Sequence, residues 1–279
     1  TLIPPLLIAT REAGRLIMSH YRQGRTVDRK ADASPVTEAD READRLIVSA
    51  LRTLTPSFPV VSEEGEKPDV GHAEHFWLVD PLDGTKSFIR GTGYFTVNIG
   101  LIENISVENC HSREGGNPGH DPRFRGGDKK ETYETRGTPI LGIIYDPAND
   151  VMYWGSGAGA FCKRGVAAPE LIHTRKRQPE GGTAFISHTH INQATVDYLA
   201  AQGIDERIPC ASSIKFCFLA EGNADLYPRF GPTMEWDTAA GHAILLGAGG
   251  SVTTPEGAPF VYGKQGFLNG NFVAGGNIS

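Results

Sequence analysis

Hydrophobic positions along the chain follow two spacings. Steps of three and four come first. Leu6, Ala9, Ala13, Leu16, Ile17 and His20 predict a helix over residues 6–21, ended by Gly24. Ala39, Ala43, Leu46, Ile47, Ala50, Leu51 and Leu54 predict a second helix within residues 32–54. Just before it, Thr37-Glu38-Ala39-Asp40 has the outline of a capping box, with Asp in place of Glu or Gln. Runs and alternations then take over. Pro59-Val60-Val61 and Phe76-Trp77-Leu78-Val79 read as short buried strands. Phe95, Val97, Ile99 and Leu101 alternate as in a strand, and residues 139–145 and 151–154 give two more. Asp146-Pro147-Ala148-Asn149-Asp150 is the hairpin turn between those two.

Residues 105–136 break the pattern. They are rich in Gly, Arg and Asp and interrupt two strands that look like hairpin partners, so the segment reads as an insertion loop. Beyond it, Gly155-Ser156-Gly157-Ala158-Gly159-Ala160 fits a dinucleotide fingerprint in letters only. No helix start follows, and a glycine turn between strands is the better reading. A second part begins near Val166. It holds a strand at residues 183–187, a helix at 192–202, a mixed stretch at 212–220, a strand at 224–227 and a helix at 235–246. Asp237 is placed to be the N-cap of that last helix. The expected division is residues 1–165, carrying most of the chemistry, and residues 166–279.

Composition narrows the class. A chain of 279 residues with 39% hydrophobic and 22% charged content has enough material for a real core. A net charge of −6 argues against a surface that coats a nucleic acid polymer. Cys110, Cys162, Cys210 and Cys217 form no C-x-x-C pair and no zinc spacing, so reduced thiols in a cytoplasmic protein are expected. No apolar run is long enough to cross a bilayer. The opening Thr1-Leu2-Ile3-Pro4-Pro5 does not read as a signal peptide.

Candidate chemistry centres on Asp80-Pro81-Leu82-Asp83-Gly84-Thr85. Pro81 forces a turn that can aim both carboxylates and the Leu82 carbonyl into one space. Oxygen-only ligands suit a hard cation such as Mg2+, and a helix opening at Gly84-Thr85 would attract phosphate. The same letters also make a surface turn without any ligand. Glu63-Glu64 at a strand end could present a ligand or simply form a solvated acidic loop. Asp40 alone is explained by capping. His72 and His75 read as surface residues, and the His188/His190 pair lacks the further ligands that zinc needs. Lys86 is as well explained by solvation as by a site. Lys215, between Ile214 and Phe216, is less comfortable in a fully exposed position.

Taken together, Glu63-Glu64, Asp80 to Thr85 and Trp236-Asp237-Thr238-Ala239-Ala240-Gly241 resemble the lithium-sensitive, Mg2+-dependent phosphatase superfamily that includes inositol monophosphatases. Within it, Ser34 to Thr37, Thr85-Lys86, Tyr94 to Ile99, Ser212 to Cys217 and Leu226 to Pro232 look like the bacterial 3'(2'),5'-bisphosphate nucleotidase branch of sulfur assimilation. Ser87 departs from that branch. The resemblance implies a layered α-β-α-β-α sandwich, with a largely antiparallel N-terminal sheet and a smaller mixed C-terminal sheet. It implies Glu63, Asp80, Asp83, Asp237 and the Leu82 carbonyl as ligands for two or three Mg2+ ions. Asp40 and Thr85 match the pair that activates water, and Gly84 and Thr85 match a phosphate cradle. His190, Ser213 and Lys215 match positions near the nucleotide. The implied reaction removes the 3'-phosphate of adenosine 3',5'-bisphosphate, with inositol phosphate and histidinol phosphate as alternative substrates. A non-catalytic nucleotide- or metal-binding protein is the alternative of another class. The expected partner is a small phosphorylated substrate. A monomer or homodimer is expected, in the cytoplasm or at the inner face of the membrane.

Overall fold

The computed structural model describes residues 1–23, 27–29, 35–107, 134–177, 181–187 and 191–276. Gly24, Ser34, Cys110, His188, His190 and most of the expected insertion lie outside the described residues. The first part of the chain runs α1 (Ile3–Gln23), β1 (Val27–Arg29), β2 (Pro35–Thr37), α2 (Glu38–Leu54), β3 (Val60–Ser62), β4 (His75–Asp83) and α3 (Thr85–Arg90). It continues through β5 (Thr96–Val107), β6 (Glu134–Asp146), β7 (Val151–Ser156), β8 (Gly159–Arg164) and β9 (Glu170–Ile172). Then follow β10 (Gly182–Ser187), α4 (Gln193–Ala201), β11 (Ile204–Cys210), α5 (Ile214–Ala220), β12 (Leu226–Arg229), α6 (Glu235–Gly247), β13 (Ser251–Thr253) and β14 (Phe272–Gly275).

Strands β3 to β9 lie side by side in chain order as a seven-stranded sheet. All its pairings are antiparallel except β3 with β4. The second sheet has the order β11-β10-β12-β14-β13, with β10 parallel to both β11 and β12 and the other pairs antiparallel. Helices α1 and α2 cover one face of the large sheet, α5 and α6 lie between the sheets, and α4 packs on the far side of the small one. The layers are therefore α-β-α-β-α, as expected. Three apolar clusters fill the gaps: Trp77, Val79 and Val97 with α1 and α2; Phe76, Leu78 and Ile144 with α5 and α6; Ala184, Leu226 and Val273 with Leu199.

Helix α6 is buried nearly all round, because it must pack on two sheets at once. The large sheet makes room for it with one row of glycines. Gly100, Gly142 and Gly155 are register partners on β5, β6 and β7. A Cβ on Gly100 would stand 2.8 Å from the Ala239 Cβ, and one on Gly142 or Gly155 would strike the α6 backbone.

Several boundaries differ from the sequence reading. Helix α1 starts before residue 6, because Pro4 and Pro5 occupy a first turn that has no need of their missing N–H groups. The β5–β6 hairpin continues through Ile105↔Arg136 and Val107↔Glu134, so the expected insertion is entered by paired strands at both ends. Asp237 is not the N-cap of α6. Met234 is, and Asp237 stands at the third helical position, where it accepts a hydrogen bond from the Met234 N–H at 2.8 Å. Strand β9, the last of the large sheet, lies beyond the expected division at residue 165.

Candidate active site

Strand β4 alternates in the usual way. Trp77 and Val79 face the α1–α2 layer, while Phe76 and Leu78 face α6. Asp80 continues on the α6 side. A spacing of three would send Asp83 to the opposite face. The register shifts, however, between Asp80↔Asn98 and Asp83↔Thr96, so β4 has one residue more than β5 across the gap. This bulge returns Leu82 to the α1–α2 cluster and brings Asp83 to the side of Asp80. Asp80 is held by the Leu82 N–H, which donates to its Oδ1 at 3.0 Å. Asp83 Oδ2 accepts from the Ser212 hydroxyl at 2.7 Å and the Ser213 N–H at 2.5 Å, so the second part of the chain grips it directly.

Gly84 then turns the chain into α3 with φ of 92°, a left-handed conformation that disfavours side chains. Its fit is tight as well, since a Cβ would lie 2.7 Å from the Tyr94 carbonyl. Thr85 follows, with its hydroxyl 3.1 Å from Asp40 Oδ1 and 3.2 Å from the Leu82 carbonyl. Asp40 opens α2 in a complete capping box. The Thr37 N–H and hydroxyl both donate to Oδ2, at 2.8 and 2.5 Å, which leaves Oδ1 for Thr85. Burial raises the Asp40 carboxyl above its ordinary range, and the Thr37 hydrogen bonds oppose the rise. The cap read from the sequence and the partner of Thr85 are thus one carboxylate with its two oxygens divided between the roles.

Asp237 reaches the same region from the N-terminus of α6, and Glu63 from the end of β3, where its N–H bonds to the Val79 carbonyl at 3.0 Å. Burial pushes Asp80 well above the usual carboxylate range, and Glu63, Asp83 and Asp237 push it further. Asp237 is raised by burial and then by Asp83. The four carboxylates form an oxygen donor set suited to a hard divalent cation, whose charge would offset the crowding that raises Asp80 and Asp237. Among the described residues no three such side chains already close on one point, since Asp83 is turned onto Ser212 and Ser213. The donor set therefore fits Mg2+ in its chemistry, with Glu63, Asp80, Asp83, Asp237 and the Leu82 carbonyl as the residues able to hold it.

The other expected residues fall into two groups. Ser213 is buried, and its hydroxyl bonds Thr96 at 2.8 Å and Asn98 at 2.7 Å. Lys215 is only 4% exposed; its ammonium donates to the Ser212 and Cys210 carbonyls and lies 5.0 Å from the Tyr227 ring centre. Burial lowers its pKa. It holds the Ser212 loop, in which Ser212 itself has a φ of 60°. His190 lies outside the described residues. Arg229 escaped the sequence reading. It is buried on β12, on the side of Tyr227, and its charge favours ionised Asp237. Its Nη2 donates to the Pro232 carbonyl, while Nε has no partner. The available signal was an arginine closing the otherwise apolar run Leu226-Tyr227-Pro228.

Known proteins carry the same layout. The chain matches the model of the inositol monophosphatase family over residues 5–108 and 132–277, and the stretch between these blocks falls within the expected insertion. It is 40% identical over 267 residues to the Salmonella typhimurium protein named 3'(2'),5'-bisphosphate nucleotidase CysQ, covering 94% of each chain. The Escherichia coli K12 protein of that name is 40% identical over 268 residues, again covering 94% of both. The crystal structure of CysQ from Bacteroides thetaiotaomicron superposes with a TM-score of 0.75 at 34% identity, covering 99% of this chain and 97% of that one. An inositol monophosphatase from Anabaena shares the fold at TM-score 0.70 and 22% identity, with 99% and 91% covered. With both sheets, the bulged aspartate turn and α6 inside the matched blocks, the chain belongs to the inositol monophosphatase family.

Proposed function

We propose that this protein is a Mg2+-dependent phosphomonoesterase that removes the 3'-phosphate of adenosine 3',5'-bisphosphate, giving AMP and phosphate. The observation that carries the reading is the 40% identity, over 94% of both chains, to proteins named for that substrate class. The site's chemistry agrees with it. A phosphate monoester is a dianion, and bare carboxylates would repel it. When bound among Glu63, Asp80, Asp83 and Asp237, two or three Mg2+ ions supply compensating positive charge and acidify water. Thr85 donates its hydroxyl proton toward Asp40 Oδ1, which leaves a Thr85 lone pair free to accept a proton from an attacking water. Asp40 is suited to share that proton, because burial raises its basicity while Thr37 fixes its other oxygen. Gly84 and Thr85, opening α3, are the proposed cradle for the transferred phosphate, supported by the turn of Gly84 and the free N–H groups of a helix start.

Selectivity for a second phosphate needs positive charge beside the carboxylate set. Lys215 and Arg229 are both buried and both sense Asp237, and Arg229 keeps an unpartnered Nε. Ser213 and Lys215 then act on the nucleotide through the Ser212 loop. The test is phosphate release with and without Mg2+ from adenosine 3',5'-bisphosphate, inositol monophosphate and histidinol phosphate. Preferential Mg2+-dependent release from the bisphosphate is expected. Preference for inositol monophosphate would leave a phosphatase of the same family with another substrate, and no turnover of any ester would make the chain a binding protein.

A further inference from the structure

Lys67 lies outside the set of residues considered so far, yet it touches both walls of the carboxylate site. Its ammonium donates to three carbonyls of one loop: Ser62 at 2.9 Å, Glu63 at 2.9 Å and Gly65 at 3.1 Å. The same ammonium lies 5.2 Å from the ring centre of Trp236, the residue before Asp237. From the other side, the Ser62 hydroxyl donates to Asp44 on α2. The loop bearing Glu63 is thus tied to α2 through Ser62 and to α6 through Lys67. We propose that Lys67 is a positioning residue that presets Glu63 relative to Asp237 and so strengthens Mg2+ binding.

This inference rests on the metal reading above and adds a residue to it. The geometry explains why a lysine serves here. A tetrahedral ammonium offers three donors, which matches three converging carbonyls. A lone strand end followed by two acids and a glycine would otherwise pay the full cost of ordering when a cation arrives. Preordering the loop moves that cost from binding to folding. A competing effect has the opposite sign. A cation near a cation site repels the incoming metal, so charge alone would make Lys67 weaken binding. The side chain is largely exposed, which screens that repulsion, whereas the clamp acts through direct contacts.

The two effects differ in sign, so Lys67→Met, which keeps the chain length and removes both charge and donors, reads which of them dominates. Mg2+ binding is measured by isothermal titration calorimetry on wild type, Lys67→Met and Lys67→Arg. Backbone amide exchange at residues 63–65 is measured on the metal-free proteins. The clamp predicts a Mg2+ Kd about three- to tenfold higher for Lys67→Met, faster exchange in the loop, and substantial recovery in Lys67→Arg. Mg2+ binding in Lys67→Met equal to or tighter than wild type, or loop exchange unchanged, overturns it. Absence of Mg2+ binding by wild type would sink the metal reading, and the exchange arm would still decide whether Lys67 orders the loop.

Discussion

Thr85 has one hydroxyl proton and two acceptors within reach, and the choice between them sets its chemistry. Donation to Asp40 leaves the oxygen free to take a proton from water, while donation to the Leu82 carbonyl makes it a bystander. Thr85→Ala should therefore lower kcat by roughly 10²–10⁴ with little change in KM, and Thr85→Ser should keep most of the activity. A variant that loses affinity alone would make Thr85 a phosphate-binding residue only. The buried carboxylates also set a pH dependence. Asp80 and Asp237 titrate well above their ordinary value near 3.8 in the folded protein. In the metal-free state the unfolded chain ionises first, so stability falls as pH rises from that value through the raised ones. Mg2+ competes with those protons and reverses the trend. The rise in Tm produced by Mg2+ should accordingly be larger at neutral than at mildly acid pH, as thermal melts at several pH values would read. An equal rise at both would remove Asp80 and Asp237 from the ligand set.

The elements around the site are fixed by close backbone approach as much as by apolar burial. Gly142 sits at the centre of the glycine row, and any Cβ there meets the Ala240 backbone of α6. Backbone cannot rotate aside as a flexible side chain can, so Gly142→Ala should lower Tm by roughly 2–12 °C, the range for overpacking by about 1–3 kcal/mol. Gly157, exposed in the β7–β8 turn with nothing near its missing Cβ, is the control, and Gly157→Ala should melt as wild type does. Circular dichroism melts decide it, and equal Tm values for the two variants would mean that α6 shifts freely on the sheet. Because α6 carries Asp237, Gly142→Ala should disturb the site as well.

For the whole molecule, we propose that residues 1–165 and 166–279 are two parts of one cooperative unit. The central apolar cluster draws Phe76, Leu78, Ile144 and Tyr153 from the first part and Phe216, Trp236, Ala240 and Ile244 from the second. Removing the second part would strip α6 from its glycine row and expose one whole face of the large sheet. Residues 1–177 expressed alone should thus show no cooperative unfolding transition, and should regain one only with the remainder of the chain. A sharp independent melt of that fragment would establish an autonomous domain. No described helix is long and apolar enough to cross a membrane.

The local elements were legible in the chain because their causes are local. Apolar periodicity places α1 and α2, a continuous apolar run places β4, alternation places β5, and Thr37 with Asp40 makes the capping box that the letters outline. The motif from Asp80 to Thr85 was legible as chemistry for the same reason, since Pro81 and Gly84 constrain their own backbone. Other features depend on residues far apart in sequence. The bulge that turns Asp83 to the side of Asp80 exists only against β5, and the glycine row exists only when three strands are in register. Lys215 reads in sequence as ill at ease in a fully exposed position, but that it anchors the Ser212 carbonyl is visible only in space. Asp40 reads as a cap until Thr85, forty-five positions away, takes its second oxygen. The sequence by itself determined which residue types stand at each position, and so which oxygens are on offer to the proposed cation and phosphate. The tertiary structure decided which of their atoms face one another, because strand register and helix packing join segments that no local pattern connects.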